Sequence, residues 1–222
     1  FRKSAQPKFP EPTVYEGNGC TVEKFKMLGY YGIVLVSAHG AYHFEGYRHP
    51  NWDPDPHNTP GSGTRDQALP LIWTSEKPTL GSTKLYEHDL AAGRLILQDK
   101  AFVLAPSFFR YYCNGMPDSL VYISSCYSAY NRALASAFLD AGASVFYSWE
   151  DLMQPPIHKE HADSLFERLL TGADSGTAFK SIKDRPNEFK MYGSDNVVLS
   201  VPGVKNSSFE EGLKCWNTLG DV

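Results

Sequence analysis

The sequence contains little cysteine, with four cysteines among 222 residues and no C-x-x-C pair. So few and so widely separated cysteines exclude a disulfide-rich scaffold and a zinc or redox site of the C-x-x-C type. One bridge among Cys20, Cys113 and Cys215 stays open, and the count does not decide the redox compartment.

Long apolar runs and a strong net charge are also missing. No apolar stretch approaches the roughly 18 residues that a membrane-spanning helix needs. The net charge of −4 gives no electrostatic argument for binding nucleic acid or an anionic membrane. The chain opens on the polar segment FRKSAQPKFPEP without an initiator methionine, so we expect no signal peptide and a chain processed or excised from a longer one.

One stretch in the middle of the chain organises the predicted fold. Residues 119–125 (SLVYISS) have the valine, isoleucine and tyrosine content of a buried strand. Residues 130–141 predict a helix with one apolar face, which Gly142 ends in a left-handed cap. Residues 143–147 are a second apolar strand. A strand–helix–strand unit of this length predicts a parallel crossover.

Polar residues that follow the apolar strands are the first candidates for a functional site, because parallel sheets carry their chemistry at the carboxyl ends of strands. Cys126 follows the first strand of the unit, and Glu150 and Asp151 follow the second. A third apolar run, residues 32–37 (GIVLVS), predicts a central, fully buried strand that leads to His39.

The rest of the chain divides into a lead-in, an insertion and further short elements. Residues 1–20 are an irregular lead-in, and residues 41–89, which hold four of the seven histidines and many prolines, predict a long loop insertion with a functional or lid role. Helices are predicted at 22–28, 107–112, 158–171, 176–183 and 208–215, and strands at 94–98, 101–105 and 196–201, with Asp99 and Lys100 as a hairpin turn. The pattern predicts one α/β domain over residues 1–222.

Two of the candidate residues could form a catalytic dyad. His39 and Cys126 each follow an apolar strand. A cysteine nucleophile acts as a thiolate, and a neighbouring imidazole both lowers the pKa of the thiol and later protonates the leaving amine. Gly40 would let a backbone N–H approach a developing oxyanion with no side chain in the way. The alternative is structural, since a strand-end cysteine is usually a small buried apolar residue.

Three strings in order carry a resemblance to a clan of cysteine peptidases. Residues 33–40 read IVLVSAHG, residues 120–128 read LVYISSCYS, and residues 134–149 read LASAFLDAGASVFYSW. This succession resembles the clan that includes caspases, gingipains, clostripain, separase and the CHAT domains. The resemblance covers about residues 21–183 and implies a caspase–hemoglobinase fold, a three-layer α/β/α sandwich on a mainly parallel sheet.

The resemblance also implies a site and a context. It makes His39 and Cys126 the dyad and the amides of Gly40 and Cys126 the oxyanion hole, with a peptide or protein substrate, no cofactor and no metal. It favours a secreted or cell-envelope location, as for gingipain-like members. Members normally carry a strand and a helix before the helix that leads to the histidine strand, and only that last helix is visible here, so we expect the missing part, or a pro-segment, upstream of Phe1. The long insertion between His39 and Cys126 predicts a hairpin and lid near the cleft.

The end of the second strand bears on specificity. In caspases the position of Ser148-Trp149-Glu150 reads S-W-R, and its arginine helps to bind an acidic residue. The charge is inverted here, so a pocket lined by Trp149, Glu150 or Asp151 predicts an arginine or lysine before the scissile bond. Clostripain-like members carry an aspartate where this chain has Ser124, which points the other way. The alternative is that both acids are solvated loop residues, or that Asp151 caps the next turn.

A cluster of histidines and acids indicates a second kind of site. The i, i+4 spacing of His39 and His43 would suit a metal on a helix, but His39 follows a strand and Gly40 interrupts helical spacing, so we predict no metal on that pair, with a structural ion in the loop as the alternative. The neighbouring residues of the cluster are His49, Asp53, Asp55 and His57, and the Asp-Pro pairs among them indicate turns. Three functions follow: a cysteine endopeptidase first, then a catalytically silent binding or scaffold module of the same fold, then a metal-dependent hydrolase.

Overall fold

The structure is a computed structural model that describes residues 12–44, 65–153, 155–183 and 186–199. The strands are β1 (Ile33–Ser37), β2 (Gly40–Phe44), β3 (Ala68–Trp73), β4 (Leu95–Gln98), β5 (Ala101–Leu104), β6 (Leu120–Ser124), β7 (Val145–Trp149) and β8 (Phe189–Gly193). The helices are α1 (Val22–Lys26), α2 (Leu80–Leu85), α3 (Glu87–Ala91), α4 (Pro106–Tyr112), α5 (Ala133–Asp140), α6 (Pro155–Leu170) and α7 (Ser175–Lys180). Short 3₁₀ turns lie at Gly17–Gly19, Met27–Tyr30 and Arg65–Gln67.

Four strands form the main sheet in the order β1-β6-β7-β8. The first three are parallel, and β8 runs antiparallel to β7. All residues of β6 and β7 are buried, as expected for parallel strands covered on both faces. The α/β class predicted from the sequence is therefore confirmed.

Helices pack on both faces of the main sheet because alternate side chains of each strand point to opposite sides. On one face, Val121 and Ile123 of β6 join a cluster with residues of α1, α4 and α5. On the other face, Leu120 and Tyr122 join a cluster with residues of α6 and α7. None of the helices within the described residues combines the length and the apolar character needed to cross a membrane.

A second, accessory sheet is antiparallel throughout, in the order β2-β3-β5-β4. Its hairpin β4–β5 turns at Asp99 and Lys100, which have φ of 49° and 63°. Two successive positive φ values are the signature of a type I′ turn, the turn whose twist matches that of a hairpin. The predicted hairpin is confirmed.

The predicted loop 41–89 contains more regular structure than expected in its described residues, 41–44 and 65–89. Both ends of the predicted loop 41–89 contain regular structure, since β2 and β3 pair over five residues and α2 and α3 follow. The prolines of this part predicted a loop, because proline lacks the N–H that a strand ladder uses. Pro70 nevertheless lies in β3: it pairs only with Tyr42 of β2, since the pairing of β3 with β5 begins at Ile72. The missing N–H of Pro70 is therefore not needed for the hydrogen bonds between β3 and β5.

Two strand predictions are wrong. The predicted strand 196–201 is, within the described residues, only an isolated bridge between Asp174 and Val198, and the strand that pairs with β7 is β8 instead. β1 was predicted to be central and fully buried, but among the described residues it pairs only with β6, and its burial alternates along the strand. The predicted last helix, residues 208–215, lies outside the described residues.

Candidate active site

The main sheet brings the two predicted dyad segments to neighbouring strand ends. Ser37 and Ser124 are the last registered pair of β1 and β6, and the N–H of Ala38 donates to the carbonyl of Ser124 at 3.1 Å. His39 and Cys126 each lie two residues beyond that pair. Parallel strands run about 4.8 Å apart, so the two backbones leave the sheet side by side. His39 is exposed and Cys126 is half-buried.

Gly40 lies in direct contact with the nucleophile segment. A Cβ atom at this position would overlap the hydroxyl oxygen of Ser125 and the carbonyl oxygen of Cys126. No side chain fits between the start of β2 and the turn after β6, so the residue type at position 40 follows from this close approach. The Gly40 backbone is thereby held beside the backbone of Cys126.

The turn after β6 is strained at the residue that follows the candidate nucleophile. Tyr127 has a φ of 58°, a left-handed conformation that costs a non-glycine residue about 1–2 kcal/mol. Two hydrogen bonds to the end of β7 hold the turn: the N–H of Tyr127 donates to the carbonyl of Asp151 (3.3 Å), and that of Ala129 donates to Trp149 (2.7 Å). Strain of this kind persists where the surroundings over-determine the backbone, and it concentrates at functional sites.

Two buried serines, Ser128 and Ser148, stabilise the turn that carries Cys126. The hydroxyl of Ser128 donates to the carbonyl of Ser125 at 2.6 Å, and the hydroxyl of Ser148 on β7 donates to the carbonyl of Ile123 at 2.9 Å. The two hydroxyls also contact each other. Both serines are fully buried. We call the turn after β6, residues 125–131, the Cys126 turn. The buried, hydrogen-bonded hydroxyls of the two serines fix it to β7, because breaking one of these bonds would leave a buried polar group unsatisfied.

Groups around the Cys126 thiol shift its pKa in opposite directions. Burial raises its pKa above the usual range for cysteine, and the carboxylate of Asp151 raises it further. The backbone N–H groups of Met153 and of Cys126 itself act in the opposite direction, because they stabilise the thiolate. The pKa of the thiol is therefore set by burial and by these opposing local charges.

An aromatic cluster covers one side of the turn. The rings of Tyr42 on β2 and Tyr130 stack at 4.2 Å between centroids, and Tyr127 meets Tyr42 edge to face at 5.2 Å. Asn131 continues the contact, because its side-chain amide donates to the carbonyl of Ala68 at the start of β3 (2.6 Å). The accessory sheet is thus attached to the Cys126 turn.

The four residues of the predicted specificity pocket lie in different environments. Ser124 is buried within the main sheet. Trp149 is buried and packs against Phe189 at 4.9 Å between ring centroids. Glu150 is partly buried, and Asp151 is exposed. One oxygen of Asp151 accepts the N–H of the next residue, Leu152, at 2.7 Å.

Several residues of this region were not singled out from the sequence. Arg65 and Lys190 both pair with Glu150, and the backbone N–H of Met153 lowers the pKa of the Cys126 thiol. Arg65 is far from Glu150 in sequence and Lys190 belongs to a strand that was not predicted, so no local signal connects them. A backbone amide such as that of Met153 leaves no trace in the residue type.

Cysteines and metal ligands elsewhere give no second centre in the described part of the chain. Cys20 and Cys113 carry free thiols, and Cys215 lies outside the described residues. No group of three or more histidine, cysteine, aspartate or glutamate side chains could hold a metal ion within residues 12–44, 65–153, 155–183 and 186–199. The predicted cluster members His49, Asp53, Asp55 and His57 fall outside these ranges.

Comparison of the chain with family models, with curated proteins and with solved structures found no match in any of the three.

Proposed function

We propose that the chain is a cysteine endopeptidase with a three-layer caspase–hemoglobinase-like fold, in which His39 and Cys126 form the dyad. The observation that carries this proposal is the convergence of the two segments: the Ser37–Ser124 register puts both residues just past neighbouring parallel strands, and Gly40 contacts the Cys126 backbone. Helices on both faces of the main sheet fit the proposed sandwich. Carboxyl ends of adjacent parallel strands are where such sheets bind and transform ligands.

The proposed reaction is acyl transfer to the cysteine followed by hydrolysis. His39 takes the proton of the Cys126 thiol, and the thiolate attacks the carbonyl carbon of the scissile peptide bond. The amides of Gly40 and Cys126 stabilise the tetrahedral oxyanion. The C–N bond then breaks as His39 passes its proton to the leaving amine. Water, deprotonated by His39, cleaves the thioester and restores the thiol. We propose a basic residue, arginine or lysine, before the scissile bond.

The test is hydrolysis of fluorogenic peptides by matched variants. We expect Cys126→Ala and His39→Ala to lower kcat/KM by about 1,000-fold or more, since both residues act in the bond-breaking step. Cys20→Ala and His88→Ala are the controls, because Cys20 is a half-buried free thiol and His88 is exposed on α3. Equal activity in all four variants, with each still folded, would show that the dyad is not catalytic.

A specific observation favours a second candidate, the catalytically silent binding or scaffold module. Burial and Asp151 raise the pKa of the Cys126 thiol, which disfavours the thiolate form that an activated nucleophile requires. Alkylation by iodoacetamide at pH 7 separates the two functions. Fast, selective modification of Cys126 supports the peptidase, whereas modification of Cys126 no faster than that of Cys20 supports the silent module.

A further inference from the structure

The two consecutive acids at the end of β7 have opposite electrostatic surroundings. Glu150 belongs to an ion cluster with Arg65 and Lys190: one carboxylate oxygen contacts the guanidinium of Arg65, and the other lies 2.7 Å from the ammonium of Lys190. Two cations surround one carboxylate, so the cluster as a whole carries one positive charge. A further cation would be repelled by this cluster rather than attracted to Glu150.

Arg65 is itself held in place by the Cys126 turn. Its Nε donates to the carbonyl of Tyr130, and its guanidinium lies over the Tyr130 ring at 4.8 Å from the centroid. Its own carbonyl accepts the side-chain amide of Asn131 at 2.9 Å. A guanidinium with a carboxylate, a carbonyl and an aromatic face as partners is not readily displaced by a substrate cation. Glu150 is therefore committed to a contact within the protein.

Asp151 has none of these neutralising partners. Its side chain is exposed, and among the described residues no lysine, arginine or histidine forms an ion pair with it. It lies close enough to the candidate nucleophile for its charge to act on the Cys126 thiol, and its carbonyl accepts the N–H of Tyr127 at 3.3 Å. Asp151 is attached through its backbone to the Cys126 turn and has no cation as a partner among the described residues, so a charge on the substrate would act most strongly on this carboxylate.

We propose that Asp151, and not Glu150, is the specificity-determining residue of the site: its carboxylate pairs with the guanidinium or ammonium group of the substrate residue next to the scissile bond, while the ion cluster of Arg65, Glu150 and Lys190 holds the turn in position. This inference rests on the proposed peptidase function. It has one catalytic consequence. A cation paired with Asp151 cancels the negative field on Cys126, so a basic substrate also favours the thiolate that attacks it.

The test compares two isosteric substitutions, Asp151→Asn and Glu150→Gln, on peptides that differ only in arginine or glutamine before the scissile bond. The asparagine oxygen can still accept the N–H of Leu152, so Asp151→Asn removes the charge and keeps the turn. We expect it to reduce the arginine-over-glutamine ratio of kcat/KM by about 10- to 100-fold, the range expected for loss of a charge-assisted hydrogen bond. Glu150→Gln should leave that ratio within about threefold of the wild type. Loss of the ratio in Glu150→Gln alone, or a wild-type preference for aspartate, would overturn the proposal.

A second readout needs no turnover and separates failure of the inference from failure of the peptidase function. Benzamidine, a small amidinium cation, should change the rate of Cys126 alkylation by iodoacetamide in a saturable way in the wild type and in Glu150→Gln, but not in Asp151→Asn, with Cys20 as the internal control. If no peptide is cleaved yet benzamidine acts through Asp151, the peptidase function fails and the cation site stands. If peptides are cleaved and both the ratio and the benzamidine response survive in Asp151→Asn, the assignment of Asp151 fails and the peptidase stands.

Discussion

Gly40 and Cys126 approach each other so closely that an added Cβ at position 40 would overlap the carbonyl oxygen of Cys126. This contact joins the start of β2 to the turn after β6, two parts of the chain separated by the whole accessory sheet. It fixes where the backbone after His39 lies relative to the candidate nucleophile. The contact thus belongs both to the fold and to the proposed chemistry.

We therefore expect Gly40→Ala to destabilise the protein and to reduce any activity of the site. The new methyl group must displace the Cys126 backbone, which in a packed region costs about 1–3 kcal/mol of unfolding free energy. Gly32→Ala is the matched control, because nothing lies within 4 Å of a Cβ built at Gly32. Chemical denaturation of both variants checks the prediction, and an unchanged unfolding free energy in Gly40→Ala would contradict it.

Among charged residues away from the candidate site, we expect substitution of the buried Asp89 to destabilise the protein most. Asp89 is almost fully buried and accepts the hydroxyl of Tyr112 at 2.9 and 2.7 Å and the Nε of Arg94 at 2.6 Å, with the ammonium of Lys26 at 3.7 Å. Breaking a buried pair by removing the charge of one partner typically destabilises a protein by about 3 kcal/mol or more. We expect that loss of unfolding free energy for Asp89→Asn.

The control for that prediction is Asp140→Asn. Asp140 pairs with Arg110 at 3.2 Å, but both side chains are more than half exposed, and exposed pairs contribute about 0–1 kcal/mol. Urea unfolding at low and at moderate salt should therefore show a large, salt-insensitive loss for Asp89→Asn and a small one for Asp140→Asn. Equal losses in the two variants would show that burial does not govern these contacts.

The sequence predicted the parts of the fold whose residues are local and apolar on a regular period. β6, α5 and β7 follow the expected order, and Gly142 closes α5 with a φ of 110°, where a side chain would also meet the carbonyl of Met116. The strand β8 was missed because its five residues alternate only weakly, and Phe189 is fully buried for a tertiary reason, its contact with Trp149. Such contacts leave no local pattern.

The candidate site also contains some residues that the sequence predicts and some that it does not. His39, Gly40 and Cys126 follow apolar strands, and a strand end is visible in sequence. The ion cluster is not visible, because the pairing of Glu150 with Arg65 depends on how the accessory sheet docks on the Cys126 turn. The two adjacent acids are equivalent in sequence, and only their tertiary partners make one neutralised and the other exposed.

The hairpin turn of the accessory sheet offers a stabilising substitution. Asp99 and Lys100 are exposed and both have positive φ, a conformation that glycine adopts without the penalty of a side chain. Lys100→Gly gives the Asp-Gly pair that type I′ turns prefer. We expect it to raise the unfolding free energy by about 0.5–1 kcal/mol.

The same substitution at a helical site is the control for the turn. Lys84 is exposed within α2, where glycine destabilises by about 1 kcal/mol relative to a good helix former. Lys100→Gly and Lys84→Gly should therefore shift the thermal unfolding midpoint in opposite directions. A decrease in both variants would mean that the turn conformation does not dominate at Lys100.

Alkaline pH should unfold the protein through its buried tyrosines. Burial raises the pKa of Tyr86, Tyr122, Tyr127 and Tyr147 well above the ordinary value for tyrosine. The unfolded chain loses these protons near pH 10, whereas the folded chain keeps them, so the unfolded state binds fewer protons above that pH. The stabilisation is fully present below pH 10 and is lost as the pH rises toward the folded-state pKa values, with each tyrosine contributing up to about 1.4 kcal/mol per pH unit.

Comparison of Tyr147→Phe with Tyr30→Phe isolates this effect. The hydroxyl of Tyr147 donates to the carbonyl of Ser175 at 3.0 Å within the core, whereas Tyr30 is 81% exposed. Tyr147→Phe loses this hydrogen bond at neutral pH but also removes one buried titrating group, so its unfolding free energy should fall less steeply with pH above 10 than that of the wild type. Tyr30→Phe should follow the wild-type slope. Identical slopes in all three proteins, measured by urea unfolding between pH 9 and roughly pH 11, would mean that Tyr147 ionises in the folded state as readily as in the unfolded one.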